Sequence, residues 1–302
     1  MPARHKYLTP PEHNVIIFSM KIIENKNFPN ERDLYAAHGV LLRNCTFDGE
    51  ADGESALKEA SEVKLESCFM NLRYPLWHNE RAELDGVTMT DKCRAALWYT
   101  HGLKIENSAM LGIKAVRECG DVNILSTKIV SPEFGWKCRD VIMKDCDIES
   151  EYLFLLSSGL KLDGIKFRGK YSFQYVENVA IENSTFDTKD AFWHSKNVTV
   201  RNSVVKGEYL AWYSENLTLI NCKIIGTQPL CYCKNLKLVD CETDGCDLAF
   251  EYSDVEASVK GHILSVKNPR SGRVTADSIG EIILTADSKY PCGAVITERG
   301  KK

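Results

Sequence analysis

Apolar and polar positions along this chain recur every 19 residues. Stepping by that interval from Trp98 gives Arg117, Trp136, Leu155, Gln174, Trp193, Trp212, Cys231 and Phe250 without a gap. Trp77 lies 21 residues before Trp98, which requires a two-residue insertion in that unit. A fixed period of this size marks a stacked array of similar units.

Within each unit, one strand alternates cleanly. Leu103, Val122, Val141, Leu160, Val179, Val198, Leu217 and Leu236 form one apolar column. Two positions on, Ile105, Ile124, Met143, Leu162, Ile181, Val200, Leu219 and Leu238 form the next, with polar residues such as Lys104, Lys161 and Thr199 between. Period two with one apolar face predicts a half-buried strand. A second, shorter strand places Met110, Ile129, Ile148, Phe167, Phe186, Val205 and Ile224 inside. Three columns rich in Gly, Asn, Asp and Ser separate the strands, running through Asn178 and Asn197, through Asn183 and Asn202, and through Gly207 and Gly226. These residue types tolerate left-handed backbone angles or bond their own main chain, so they mark corners.

Three short strands and three corners per 19-residue coil predict an all-β parallel β-helix, each coil pairing with the next. At the interstrand spacing, about a dozen coils make a rod on the order of 60 Å long. Helical repeats fail, because no 3.6-residue period is present and corners recur too often. The solenoid is read as one domain over residues 20–302, with 34–62 as an irregular N-terminal cap region and 272–302 as a C-terminal cap region. Residues 1–19 show no repeat logic and read as an N-terminal extension outside the core.

The third strand of each coil is rich in large side chains on both faces, so its direction is open. Small residues beside the Trp column (Ala96, Ala115, Ala191, Ser195, Ser214) favour burying that face, which leaves Arg117 and Gln174 needing local partners. The opposite face then displays Tyr152, Tyr171, Asp190 and Tyr209 in one column, and Phe154, Phe173 and Phe192 in a second. A third holds Tyr99, Glu118, Lys137, Tyr175, His194, Tyr213 and Tyr232. A ribbon of aromatic rings with interspersed charge suits an oligosaccharide or other ring-bearing ligand. The competing reading is that aromatic ladders only stabilise adjacent strands. The densest stretch places ligand contacts at Tyr171, Phe173, Tyr175, Asp190, Phe192, His194, Tyr209, Tyr213 and Lys137, and Asp190, His194 and Glu118 are the candidate catalytic groups. No second carboxylate stacks beside Asp190 or Glu118, as glycoside hydrolysis would require. Glu151, Lys170, Lys189 and Glu208 form a charged corner column that reads as surface ion pairing.

Composition narrows the remaining options. The net charge is −4 with no basic run, which argues against nucleic acid. No apolar stretch is long enough to span a bilayer and no secretory leader is evident, so a cytoplasmic location is expected. The twelve cysteines then read as free thiols, and neither they nor the seven histidines show ligand spacing, so no metal and no cofactor is expected.

Several strings carry a resemblance: Tyr74-Pro-Leu-Trp-His78, Pro132-Glu-Phe-Gly-Trp-Lys-Cys138, Gly169-Lys-Tyr-Ser-Phe-Gln-Tyr175, Thr188-Lys-Asp-Ala-Phe-Trp-His194 and Gly207-Glu-Tyr-Leu-Ala-Trp-Tyr213. The overall pattern resembles the pectin-lyase-like single-stranded right-handed β-helices, and the strings resemble the uncharacterised domain-of-unknown-function family 3737. The resemblance implies a right-handed β-helix and supplies no activity. Function is therefore open between a ligand-binding β-helix, a polysaccharide lyase or hydrolase, and a protein-interaction scaffold.

Overall fold

The sequence period becomes a register in space. In a computed structural model describing residues 20–50 and 54–300, Val122 lies beside Val141, then Leu160, Val179, Val198 and Leu217 on successive parallel strands. The chain winds as a right-handed parallel β-helix of about 14 turns, and no helix occurs among the described residues. Both apolar columns of the long strand are buried, as are Met110, Ile129, Ile148, Phe167, Phe186, Val205 and Ile224 of the short strand. Each fully buried aliphatic or aromatic side chain contributes roughly 1.5–3 kcal/mol, and the contribution repeats at every coil.

The first two corner columns adopt the left-handed backbone their residues favour, for example Asn197 at φ 54 and Asn202 at φ 49. At the first corner, side chains add their own ladder. Asn235, Asn216 and Asn197 each donate Nδ2–H to the Oδ1 of the asparagine one coil below, at 2.8, 2.9 and 3.1 Å. The third corner uses glycine differently. A Cβ on Gly169 would lie 1.7 Å from the Ser150 carbonyl oxygen, so the residue is there for close approach between coils.

The steps between coils explain where the period breaks. Ala82 pairs with Leu103, which is the two-residue insertion before Trp98. Val40 pairs with Val63 across a longer step, and Lys21–Glu24 pairs with Val40–Arg43 below it. Within residues 34–62, His38–Arg43 is therefore paired on both sides, inside the stack and not capping it. Likewise Ser271–Ala276 pairs with both Asp254–Lys260 and Ala294–Glu298, so stacking continues as far as Glu298. Residues 1–19, read as an extension, lie outside the described residues.

The third side of the coil departs from a strand. Extended pairing there comprises Leu97–Trp98 with Val116–Arg117, isolated bridges joining Glu54 to Arg73, Arg117 to Trp136 and Ala249 to Val266, and His262–Lys267 with Ser278–Ile283 near the C-terminus. Elsewhere every second residue is left-handed: Tyr171, Phe173 and Tyr175 at φ 55, 58 and 55, then Asp190, Phe192 and His194 at 51, 60 and 53. Their amides still bond neighbouring coils, Asp190 N–H to Glu208 O at 3.0 Å and Phe192 N–H to Ser172 O at 2.9 Å. Alternating handedness removes the simple in-out rule of a pleated strand. Ala191 and Phe192 both point inward, and Trp193 and His194 both point outward.

Candidate functional site

Two expectations for the third side are corrected by this geometry. Phe154, Phe173 and Phe192 are buried, and they stack in the core at 6.1 and 5.0 Å between ring centroids. Phe173 and Phe192 therefore cannot touch a ligand on the surface. The Trp column, expected inside, stands on the outer surface and is only half-buried.

Each indole N–H is satisfied by the backbone one coil along. Trp98 donates to Lys114 O at 2.8 Å, Trp136 to Tyr152 O at 2.7 Å and Trp212 to Gln228 O at 2.9 Å. Trp193 and Trp212 stack at 5.5 Å with planes 1° apart. Arg117, in the same column, lies between two indoles, its Cζ 4.9 Å from the Trp98 centroid and 5.5 Å from that of Trp136. Trp98 and Gln174 in this column each donate a planar N–H to the main chain sixteen residues on, whereas Arg117 bonds Glu118.

Beside the indoles runs an outward ladder. Tyr175 stacks on His194 at 4.9 Å, His194 on Tyr213 at 5.1 Å, and Tyr213 on Tyr232 at 4.8 Å, with interplanar angles of 7°, 8° and 13°. Tyr252 is tilted by 59° and ends the parallel run. The faces of the inner rings are covered by one another, and their edges reach solvent. Burial, reinforced by Glu251, pushes the Tyr232 phenol up to about 12, so it remains a donor at neutral pH. Glu177, Lys196, Glu215 and Lys234 flank the ladder with alternating sign, and Lys196 pairs with Glu177 at 3.7 Å.

On the other side of the indoles, Tyr152 stacks on Tyr171 at 4.8 Å, and Asp190 and Tyr209 continue that column. Asp190 is half-buried. Burial raises its carboxyl above the usual range, Lys189 opposes the shift and Glu208 adds to it. The corner charges form ion pairs as anticipated, Lys170 with Glu151 at 3.3 Å and Lys189 with Glu208 at 3.4 Å. Surface pairs of this kind contribute little to stability.

The three candidate catalytic groups are not brought together. Glu118 lies four 19-residue steps below His194, where it pairs with Arg117 at 3.3 Å and Lys137 at 3.8 Å. Asp190 and His194 share a coil but sit in separate outward columns, on either side of Trp193. Shallow grooves of about 490 and 510 Å³ lie on the short-strand and long-strand sheets, away from the aromatic ladder. Among the described residues, no three His, Cys, Asp or Glu side chains converge as metal ligands would. All twelve cysteines are unbridged, and all but Cys292 are buried.

A family model described as a protein of unknown function, DUF3737, matches residues 21–297. The chain belongs to that family. No curated protein matches this DUF3737 chain. Among solved structures, a periplasmic alginate epimerase AlgG is similar at 14% identity and a TM-score of 0.30, covering 86% of this chain and 76% of that one. The A-module of the Azotobacter vinelandii mannuronan C-5 epimerase AlgE6 is similar at 9% identity and a TM-score of 0.31, covering 91% and 88%. The catalytic domain of a GH87 alpha-1,3-glucanase in complex with tetrasaccharides is similar at 8% identity and a TM-score of 0.31, covering 97% and 70%.

Proposed function

We propose that the outward ladder from Tyr175 to Tyr232 is a non-catalytic binding surface for a linear, neutral polysaccharide lying along the rod. The observation that carries this reading is the unbroken stack at 4.8–5.1 Å per rung. One pyranose unit of an extended chain advances by a comparable distance, so successive sugars would meet successive rungs. Because the inner ring faces are covered, recognition would run through phenol and imidazole edges hydrogen-bonding to hydroxyls, with the half-exposed indoles alongside. Tyr171, Tyr209 and Lys137 would lie at the margins of such a chain. The alternating signs of Glu177, Lys196, Glu215 and Lys234 leave no net field along the ladder, which favours a neutral polymer over a polyanion.

Affinity electrophoresis through gels cast with neutral and acidic linear polysaccharides tests this. Retardation by a neutral polymer is expected, and Tyr175→Phe with Tyr213→Phe should remove it while preserving the stack. Retention unchanged in the double variant would defeat the edge-recognition reading. Release of reducing ends or unsaturated uronate would make the surface an enzyme's. A stable protein partner without glycan retention would make it a scaffold.

A further inference from the structure

The tyrosine column beside the indoles lacks one rung. Tyr152 and Tyr171 stack at 4.8 Å, and the next member of the column is Asp190, followed by Tyr209. The backbone does not change across the gap, since Tyr171, Asp190 and Tyr209 have φ of 55, 51 and 55. Their amides make the same bond to the following coil, at 2.8, 3.0 and 3.1 Å. A side chain without a ring therefore stands where a ring would fit. Two coil steps separate Tyr171 and Tyr209 by about 9.5 Å along the rod. A planar group needs roughly 3.5–4 Å on each face, so the slot has the thickness of one such group.

The slot has acceptor chemistry at its base. Among the described residues, no hydrogen bond or ion pair engages the Asp190 carboxylate. Lys189, whose charge acts on it, is held by Glu208 at 3.4 Å, with its Nζ 5.7 Å from the Tyr209 ring centroid. Lys170 sits 5.6 Å from the Tyr171 centroid and pairs with Glu151. Asp190, Glu208 and Lys189 together leave one unmatched negative charge.

The molecule shows elsewhere what completes a gap of this kind. In the indole column the missing rung between Trp98 and Trp136 is filled by the Arg117 guanidinium, whose Nε lies 3.3 Å from Glu118 Oε1. Planarity satisfies the ring faces and the N–H donors satisfy the carboxylate. We infer that the Tyr171–Asp190–Tyr209 slot binds a guanidinium group supplied from outside the coil, stacked between the two phenols and paired with the Asp190 carboxylate. The slot stands whether or not the neighbouring ladder binds a polymer.

NMR titration of protein carrying 13C at its aspartate carboxyls tests this, with methylguanidinium as the probe at concentrations far below denaturing. The signal absent from Asp190→Asn should move saturably, and methylammonium should need at least tenfold higher concentration for the same shift. Asp190→Tyr should fill the rung, raise the thermal midpoint and abolish saturable binding. An unmoved Asp190 signal, an equal response to methylammonium, or a lowered midpoint in Asp190→Tyr would overturn the assignment. A capped Gly-Arg-Gly peptide separates the two sources of the group. A shift at no higher concentration than methylguanidinium points to an arginine of a partner chain, and a shift with methylguanidinium alone points to a small molecule.

Discussion

Gln174 donates its Nε2–H to the carbonyl of Asp190 at 3.1 Å, the same sixteen-residue bond that the Trp193 indole makes to Tyr209 at 2.6 Å. Amide and indole make the same bond at this position, each donating a planar N–H along the rod. Gln174→Leu should therefore cost about 1 kcal/mol, the usual net value of one hydrogen bond. Gln174→Trp should keep the bond and add stacking on Trp193, giving a midpoint at or above wild type. Chemical denaturation of both variants checks the pair.

The long-strand columns admit no charge. Val198 and Leu219 are 1% and 4% exposed, and each is flanked by the equivalent side chains of adjacent coils. Val198→Asp or Leu219→Asp should abolish soluble folding, since an unpaired buried carboxylate costs several kcal/mol. Normal soluble yield with cooperative melting of both would contradict the column assignment.

Left-handed backbone at large side chains should separate surface from core. Leu156, at φ 58, is 52% exposed, and an L-residue pays roughly 1–2 kcal/mol for this conformation, less for asparagine. Leu156→Asn should leave the unfolding free energy unchanged or raise it by up to about 1 kcal/mol, read by chemical denaturation. Phe173 has the same φ but is buried, and Phe173→Asn should lose roughly 3–5 kcal/mol from the core.

Acid should loosen the C-terminal coils first. Arg270 grips Asp254 with Nε at 2.7 Å and a second guanidinium nitrogen, and the Ser271 hydroxyl donates at 2.6 Å. Chiefly through Arg270, these bonds hold the Asp254 carboxyl below its ordinary range. A depressed folded pKa gives stability that is present above the unfolded value and lost as pH falls through the folded one. Amide exchange in residues 254–276 should therefore accelerate below the ordinary carboxylate range, and Asp254→Asn should show the faster exchange already at neutral pH.

The period, the two strands and the first two corners were legible in the sequence because each is written in residue types that repeat every coil. The facing of the third side was not, because period two presupposes extended backbone. The contrary signal is a recurring pair of adjacent apolar residues, Leu153-Phe154, Ala191-Phe192 and Leu210-Ala211. No pleated strand buries both members of such a pair. Phe173 and Phe192 were misplaced for that reason, whereas Tyr175, His194 and Tyr213 do reach the surface. One of the three anticipated columns, that of Phe154, Phe173 and Phe192, was thus the core seen from the wrong side.

The stacked rings that join Tyr175 to Tyr232 have a further consequence, which concerns motion along the molecule. A surface that nearly maps onto itself after one coil offers a long guest several registers of similar energy, separated by a single step. Such a guest would gain entropy from that choice and could shift lengthwise without fully letting go. Asp190 is the one interruption of its own column between Tyr152 and Tyr209. A guest that reads it would be fixed in place, so this carboxylate can turn a slippery track into an address.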